Sequence, residues 1–268
     1  MQRYAIGIEF NGQNYRGWQT QQAGVASVQQ TIEQVLSKIA NHAVILHAAG
    51  RTDAGVHASN MVAHFDTHAI RPEHGWIMGA NSLLPKDIAL QWIQPMTADF
   101  HARFKACARR YRYVIYQHAY RPAALYGQVT HIREYLNVDN MQQAVDKLVG
   151  THNFNSFRAA ACQSNQPVRT VSHAKLFQHG AFLVLDIQAD GFLHHMVRNI
   201  VGCLLDIGSD KQAPEWIDYL LQIQDRNQAG MTAPPDGLYF IKAHYPAEFD
   251  LPVVNLGPTW LNLPTDAP

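Results

Sequence analysis

The chain has 268 residues, 47% of them apolar and only 16% charged, enough to bury roughly 70–75% of its unfolded surface, which excludes a disordered protein. Its 21 basic and 21 acidic residues cancel, which by itself argues mildly against a nucleic-acid partner. No apolar run approaches the ~18 residues of a spanning helix, Met1–Phe10 alternates like a strand rather than a signal peptide, and Cys107, Cys162 and Cys203 make neither a C-x-x-C pair nor a disulfide framework, so a cytoplasmic protein is expected.

Alternation predicts a first strand over Arg3–Phe10, and Asn11-Gly12 and Gly17 mark a loop. Ser27 and Gln30 resemble a capping box, and Val28, Ile32, Val35, Leu36 and Ile39 recur at helical spacing to about Asn41. Val44–His47 reads as a short strand, 48–58 as a loop of mostly small residues, and Met61–Phe65 as a strand. Pro72 opens a helix to about Asn81, and Ile88–Ile93 is another strand. A second half begins near 105. It has a strand over Lys105–Gln117, a helix over Asp139–Leu148, and a hairpin of Val168–Gln178 and Phe182–Ala189 turning at His179-Gly180. Helices over His194–Ile207 and Pro214–Gln222 and a strand over Leu238–His244 follow. The proline-bearing tail after Tyr245 is expected to wrap the surface. This order predicts an α+β fold of two similar halves, residues 1–104 and 105–268.

Three segments carry candidate chemistry. In Gly50-Arg51-Thr52-Asp53-Ala54-Gly55-Val56-His57, small residues surround one carboxylate. Such a loop admits a planar ligand close to its backbone, and Asp53 is a candidate nucleophile, base or ligand; an Asp-Gly turn held by local hydrogen bonds is the plainer reading. Arg51, presented on the same loop, suits stacking on bases or filling the gap left by an extruded one.

In the second segment, Phe100-His101-Ala102-Arg103-Phe104 precedes Arg109-Arg110-Tyr111-Arg112-Tyr113. Aromatic and cationic side chains interleave there, as phosphates and base faces require. No acid occurs from Phe100 to Arg121, so a neutral chain can still carry a basic groove; a solvated strand edge and ordinary packed tyrosines are the alternatives. On the strand, Tyr111 and Tyr113 share one face and Arg110 and Arg112 the other. In the third segment, Met196, Val197, Ile200, Val201, Leu204 and Leu205 form one helical face with Arg198 at its edge. The Arg198 guanidinium either snorkels to solvent or pairs with a carboxylate, for which Asp53 is a candidate. Adjacent His194 and His195 on a helix point about 100° apart and chelate poorly. No nucleotide-binding or metal motif is present, so neither a cofactor nor a metal is expected.

Together these segments resemble the TruA family of tRNA pseudouridine synthases. The Arg51–His57 loop matches its catalytic signature. Gly17-Trp18-Gln19, Phe100–Phe104, Arg109–Tyr113, His194–Gly202 and Gly237-Leu238-Tyr239 match in order over nearly the whole chain. The resemblance implies ferredoxin/RRM-like halves with mostly antiparallel sheets flanking a central basic cleft, the second half completing the site around the Asp53 loop. It implies a cofactor-free homodimer that isomerises uridines 38, 39 and 40 of the tRNA anticodon arm by base flipping. Asp53 would be the nucleophile, Tyr111 would contact the target nucleotide, Arg51 would assist flipping, Arg198 would pair with Asp53, and Leu238 would pack near the base. Phe100, His101, Ala102, Arg103, Phe104, Arg109 and Arg110, with Cys162, Gln163 and Ser164 of a second loop, would contact RNA. Asn165 stands where relatives can carry arginine, and Phe240 where leucine is common. Two rival functions compete with this one: a non-catalytic RNA-binding module using the same residues, and a small-molecule hydrolase, which would need a second acid near Asp53.

Overall fold

The alternating apolar residues at the chain's start become β1 (Gln2–Phe10), in which Ile6 and Ile8 are fully buried. The structure is a computed structural model that describes residues 1–22, 24–162 and 164–261. The chain forms two compact units, Met1–Cys107 with the segment from Tyr239 onward, and Ala108–Leu238.

In the first unit the order is β1, α1 (Val28–Ala40), β2 (His47–Ala48), β3 (His57–Thr67), α2 (Glu73–Leu83) and β4 (Ile88–Met96). β1 lies between β3 and β4, antiparallel to both, and β2 pairs antiparallel with β3 on its other side. This is the split β-α-β-β-α-β arrangement. Ser27 caps α1, its Oγ accepting from Gln30 N at 3.4 Å, and Asn41 ends it in the left-handed conformation at φ 58°. Val28, Ile32 and Leu36 of α1 and Trp76 of α2 are completely buried; the Trp76 ring packs on Tyr4 and Phe65. The expected strand at Val44–His47 shrinks to His47–Ala48 for a visible reason. Val44 N donates to Ser37 Oγ and Leu46 N to Glu33 Oε1, both at 2.8 Å, so α1 side chains claim the donors a ladder would use. β3, in contrast, runs well past Met61–Phe65 at both ends because β1 pairs with most of its length.

In the second unit β5 (Ala108–Gln117) pairs with a short parallel strand, β6 (Thr130–Ile132), and antiparallel with β9 (Phe182–Ala189); β9 pairs with β8 (Val168–His179), and β8 with β7 (Gly150–Asn153). α3 (Val138–Asp146), α4 (Met196–Gly208) and α5 (Trp216–Ile223) complete it. The hairpin turns where expected, with His179 opposite Phe182 and Gly180 at φ 58°. β5, α3, β8, β9 and α4 repeat the succession β1, α1, β2, β3, α2, again with the first strand antiparallel to the third and the third to the second. The fold is α+β, and within each unit the strands pair mostly antiparallel.

Two further features differ from the sequence expectation. The last strand, β10 (Leu238–His244), pairs Tyr239 and Phe240 in parallel with His57 and Ala58 of β3. The chain beyond it packs on the first unit, with Tyr245 Oη donating to Ala102 O at 2.7 Å and Phe249 against the Phe100 ring. The tail therefore belongs with the first unit, whereas the order of elements in the sequence groups it with the second, and the division falls after Cys107 rather than 104. α4 starts at Met196, not His194: His195 is left-handed, at φ 60°, so the two histidines precede the helix with ring centroids 3.9 Å apart, and the helical-wheel argument about them does not apply.

Candidate active site

Backbone hydrogen bonds hold the Asp53 loop. Trp18 N donates to Thr52 O at 3.1 Å, Gly55 N to Tyr15 O at 3.2 Å, and Val56 N to Asp53 O at 3.2 Å. Each contact comes from the 12–18 segment or from the loop itself. Glycine is what lets them meet: a Cβ on Gly12 would stand 2.0 Å from Val56 O, and one on Gly17, whose φ is +96°, 2.6 Å from Thr52 O. The Trp18 side chain, buried against Phe10, anchors the pinning segment. At the loop's end His57 Nδ1 accepts from Gly12 N at 3.0 Å while its ring stacks on Tyr239 at 4.7 Å. Asp53 is half-buried and Arg51 exposed. Of the small residues, Ala49 and Ala58 are buried and serve packing, whereas Ala54 faces solvent.

The 100–104 segment divides by role. Phe100 and Ala102 are completely buried: Phe100 packs on Tyr245 and Phe249, and the Ala102 N–H donates to His64 Nδ1 at 3.2 Å. His101 folds the turn, its Nδ1 accepting from the N–H of Arg103 at 3.1 Å and of Phe104 at 3.3 Å. The turn leaves Arg103 exposed 5.7 Å over a Phe104 ring that is itself 75% exposed. Behind it the rings of His47, His64 and His101 cluster with centroids 4.5–5.5 Å apart, His47 stacked on His64 and His101 edge-on to His64. Burial first, then the charges of His101, Arg3 and His47, push the His64 imidazole down to about 3.

In the second unit, β5 carries a buried charge network. Asp186 on β9 is fully buried; its two oxygens accept from Arg110 Nε and, at 3.0 Å, from another Arg110 guanidinium nitrogen, and from Arg112 Nε at 2.8 Å. Arg110 and Arg112 share a face as the alternation requires, but that face is interior, so two of the cations in the acid-free stretch are neutralised from another strand. Arg109 donates to Asp190 O at 3.2 Å and stays half-exposed. Tyr111, between the paired arginines, is buried with its ring edge-on to Phe192 at 4.9 Å. Tyr113 is completely buried; its hydroxyl meets Thr130 Oγ1 at 2.6 Å and Pro234 O at 2.8 Å, and burial holds the phenol well above its usual range. Arg198 is half-buried and fixed by a donation from Nε to Ala233 O at 2.9 Å, returned from Ala233 N to Arg198 O at 3.1 Å. Gly202 permits that approach, because a Cβ there would meet Met231 O at 1.7 Å. Leu238 is buried at the head of β10.

The second loop is also ordered by cations. Cys162 Sγ accepts from His194 N at 3.4 Å, Arg158 donates to Cys162 O at 3.1 Å, and Arg169 to Ser164 Oγ at 2.9 Å. Burial pushes the Cys162 thiol up, but the N–H groups of His194 and Ser164 together with Arg158 outweigh it and hold the thiol below its usual range. Asn165 is exposed, and Gln163 lies outside the described residues. Sequence reasoning missed Asp186, Arg158 and Arg169. The first was signalled by an acid inside the apolar run Leu183-Val184-Leu185-Asp186-Ile187; the arginines had no such mark. Among the described residues, neither unit by itself gathers three histidine, cysteine or acidic side chains at ligand spacing.

Comparison with known proteins gives one answer. A family model described as tRNA pseudouridine synthase matches residues 6–105 and 144–246. The chain is 69% identical to a tRNA pseudouridine synthase A of Acinetobacter baumannii strain AYE, covering 98% of this chain and all of that protein. It is 67% identical to one of Acinetobacter baylyi over 100% and 99%, and 54% identical to one of Aeromonas hydrophila over 99% and 98%. A solved Cbf5-Nop10-Gar1 complex aligns over 88% of this chain and 48% of that chain at 11% identity with a TM-score of 0.38, too distant to carry an argument.

Proposed function

Because the chain belongs to the tRNA pseudouridine synthase family, we propose that it isomerises uridine to pseudouridine at positions 38, 39 and 40 of the tRNA anticodon arm, with Asp53 as the nucleophile. The observation that carries this is the half-buried Asp53 on a loop pinned through backbone by Gly12, Gly17 and Trp18, inside the Arg51–His57 motif. The C1′–N1 bond breaks, uracil turns within the site, C5 bonds to C1′, and the C5 proton is lost while N1 regains one. Nothing is added overall, so no cofactor is required. One carboxylate suffices, attacking either the sugar or the pyrimidine ring; a glycosidase needs two because water must take part.

The other residues take supporting roles in this reading. The target nucleotide must leave its stack at a cost of about a few kcal/mol, and the exposed Arg51 offsets that by filling the vacancy. Tyr111 stacks on the base, Leu238 packs near it, and Arg198 pairs with Asp53 to favour the charged carboxylate. RNA is gripped by His101, Arg103, Phe104 and Arg109 and by the Cys162–Ser164 loop, whereas Phe100, Ala102 and Arg110 support those contacts from the interior. The protein works as a homodimer in the cytoplasm, in keeping with three free cysteines; among the described residues no helix is long and apolar enough to cross a membrane.

The test is to map pseudouridines in tRNA treated with the purified protein and to follow tritium release from C5-labelled uridine. Conversion at 38–40 is expected. Asp53→Asn should fold and bind tRNA but lose release by a factor on the order of 10⁴. Normal release by that variant removes Asp53 as the nucleophile.

A further inference from the structure

The excursion from the end of β5 to the start of α3, residues 118–137, which includes β6, carries a surface that the mechanism leaves unused. The chain leaves β5 at Gln117 and returns as β6, which pairs in parallel with Ile115, Tyr116 and Gln117. It is tied by one backbone bond and two side chains: His118 N donates to Ile132 O at 3.0 Å, Gln117 Nε2 donates to Glu134 O at 3.1 Å, and His131 Nε2 lies 2.7 Å from His118 O. On this tied frame Tyr120, Tyr126 and Tyr135 are 77%, 74% and 79% exposed. A single exposed aromatic needs no explanation, but three on one short excursion do. Arg121 and Arg133 stand among them, both exposed, and among the described residues neither has an ion-pair partner. From Lys105 to Leu136 the one acidic residue is Glu134.

We propose that this excursion is a docking surface for the body of the tRNA, a second hold besides that on the target nucleotide. It rests on the tRNA reading above. Unpaired arginines neutralise phosphates, and exposed tyrosine faces stack on unpaired bases or cover ribose, so the interleaved pattern fits a folded RNA. A second copy of the chain fits worse. A two-fold contact sets the same patch against itself, so four arginines would share it with only two Glu134 carboxylates to answer them.

The experiment compares the full-length protein with Arg121→Ser/Arg133→Ser and with Tyr120→Ser/Tyr126→Ser/Tyr135→Ser. The measurements are Kd for whole tRNA across a salt series, kcat at saturating tRNA, and molar mass by light scattering. Each variant should bind about tenfold more weakly with kcat within about twofold, and the arginine variant's log Kd against log salt should be shallower by roughly two, one counterion release per lost phosphate contact. Unchanged Kd and slope overturn the proposal, as does a variant mass half that of the parent, which would make the patch an interface between copies. Pseudouridine formation by the parent protein is read separately: its absence breaks the proposed function, while the binding comparison still judges the patch.

Discussion

The Asp53 loop and the Tyr111 strand present their key side chains by opposite means. The loop is fixed by backbone hydrogen bonds and by glycines that let two chain segments touch, with Gly12 and Gly17 against Val56 and Thr52. The strand is fixed by charge, with Arg110 and Arg112 on either side of Tyr111 drawn to the buried Asp186. The first device depends on space and the second on electrostatics. Steric substitutions should therefore damage the loop, and charge substitutions the strand.

The largest expected effect is on the strand. Asp186→Ala takes the shared carboxylate from two buried guanidinium groups and should lower stability by about 3–5 kcal/mol, seen as a fall in the urea midpoint. Replacing the whole network with apolar residues, Arg110→Met/Arg112→Met/Asp186→Leu, should recover most of that loss, because a buried ion pair is weak evidence for net stability. The triple variant also judges Arg110. Retained tRNA affinity means that Arg110 acts from the interior, and a large loss means that it reaches RNA.

Gly12→Ala should come next. The new methyl has nowhere to go but against a backbone carbonyl, so a loss of about 2–3 kcal/mol is expected. Activity should fall further than stability explains, because the carbonyl that must shift belongs to Val56, on the same loop as Asp53. A variant with normal urea midpoint and normal kcat would show that the loop is not pinned at that point, and the contrast between the two regions would lose its first half.

The same contrast decides what is legible in the sequence. The loop is marked by glycines, so Asn11-Gly12, Gly17-Trp18 and the Gly50–His57 run stand out in the sequence even though Gly12 meets His57 across 45 residues, and the helix start at Ser27 is legible because its cap is local. Arg110 and Arg112 can be placed on one face of a strand by alternation alone, but their partner lies 74 residues away from Arg112 on β9, and pairing at that range has no local signature. The short strands β6 and β7 hide for a related reason: three or four residues show no period. Phe100 and Ala102 read as RNA contacts because their neighbours Arg103 and Phe104 are of that kind, yet the turn made by His101 sends the first pair inward and the second outward. The repeat of the two units is visible as an order of elements and never as a repeated sequence.

The smallest expected effect lies in the first unit, at a buried histidine. His64 is buried beside His47, His101 and Arg3, and its folded value of about 3 sits below the ordinary value of 6.5. Between those two values the unfolded chain holds a proton that the folded chain refuses. The unfolded state thus binds more protons, and stability rises with pH across the window and is lost as pH falls through it. From pH 7 to pH 5 the share due to His64 is about 1–2 kcal/mol, reduced by solvent and by its histidine neighbours. His64→Asn keeps an acceptor for the Ala102 N–H but has nothing to protonate. Its urea midpoint should therefore fall less than the parent's over pH 7 to 5, while carboxylates elsewhere titrate equally in both. Parallel curves for the two proteins would mean that the imidazole admits its proton in the folded state, and that the turn presenting Arg103 and Phe104 holds its shape with a charge behind it.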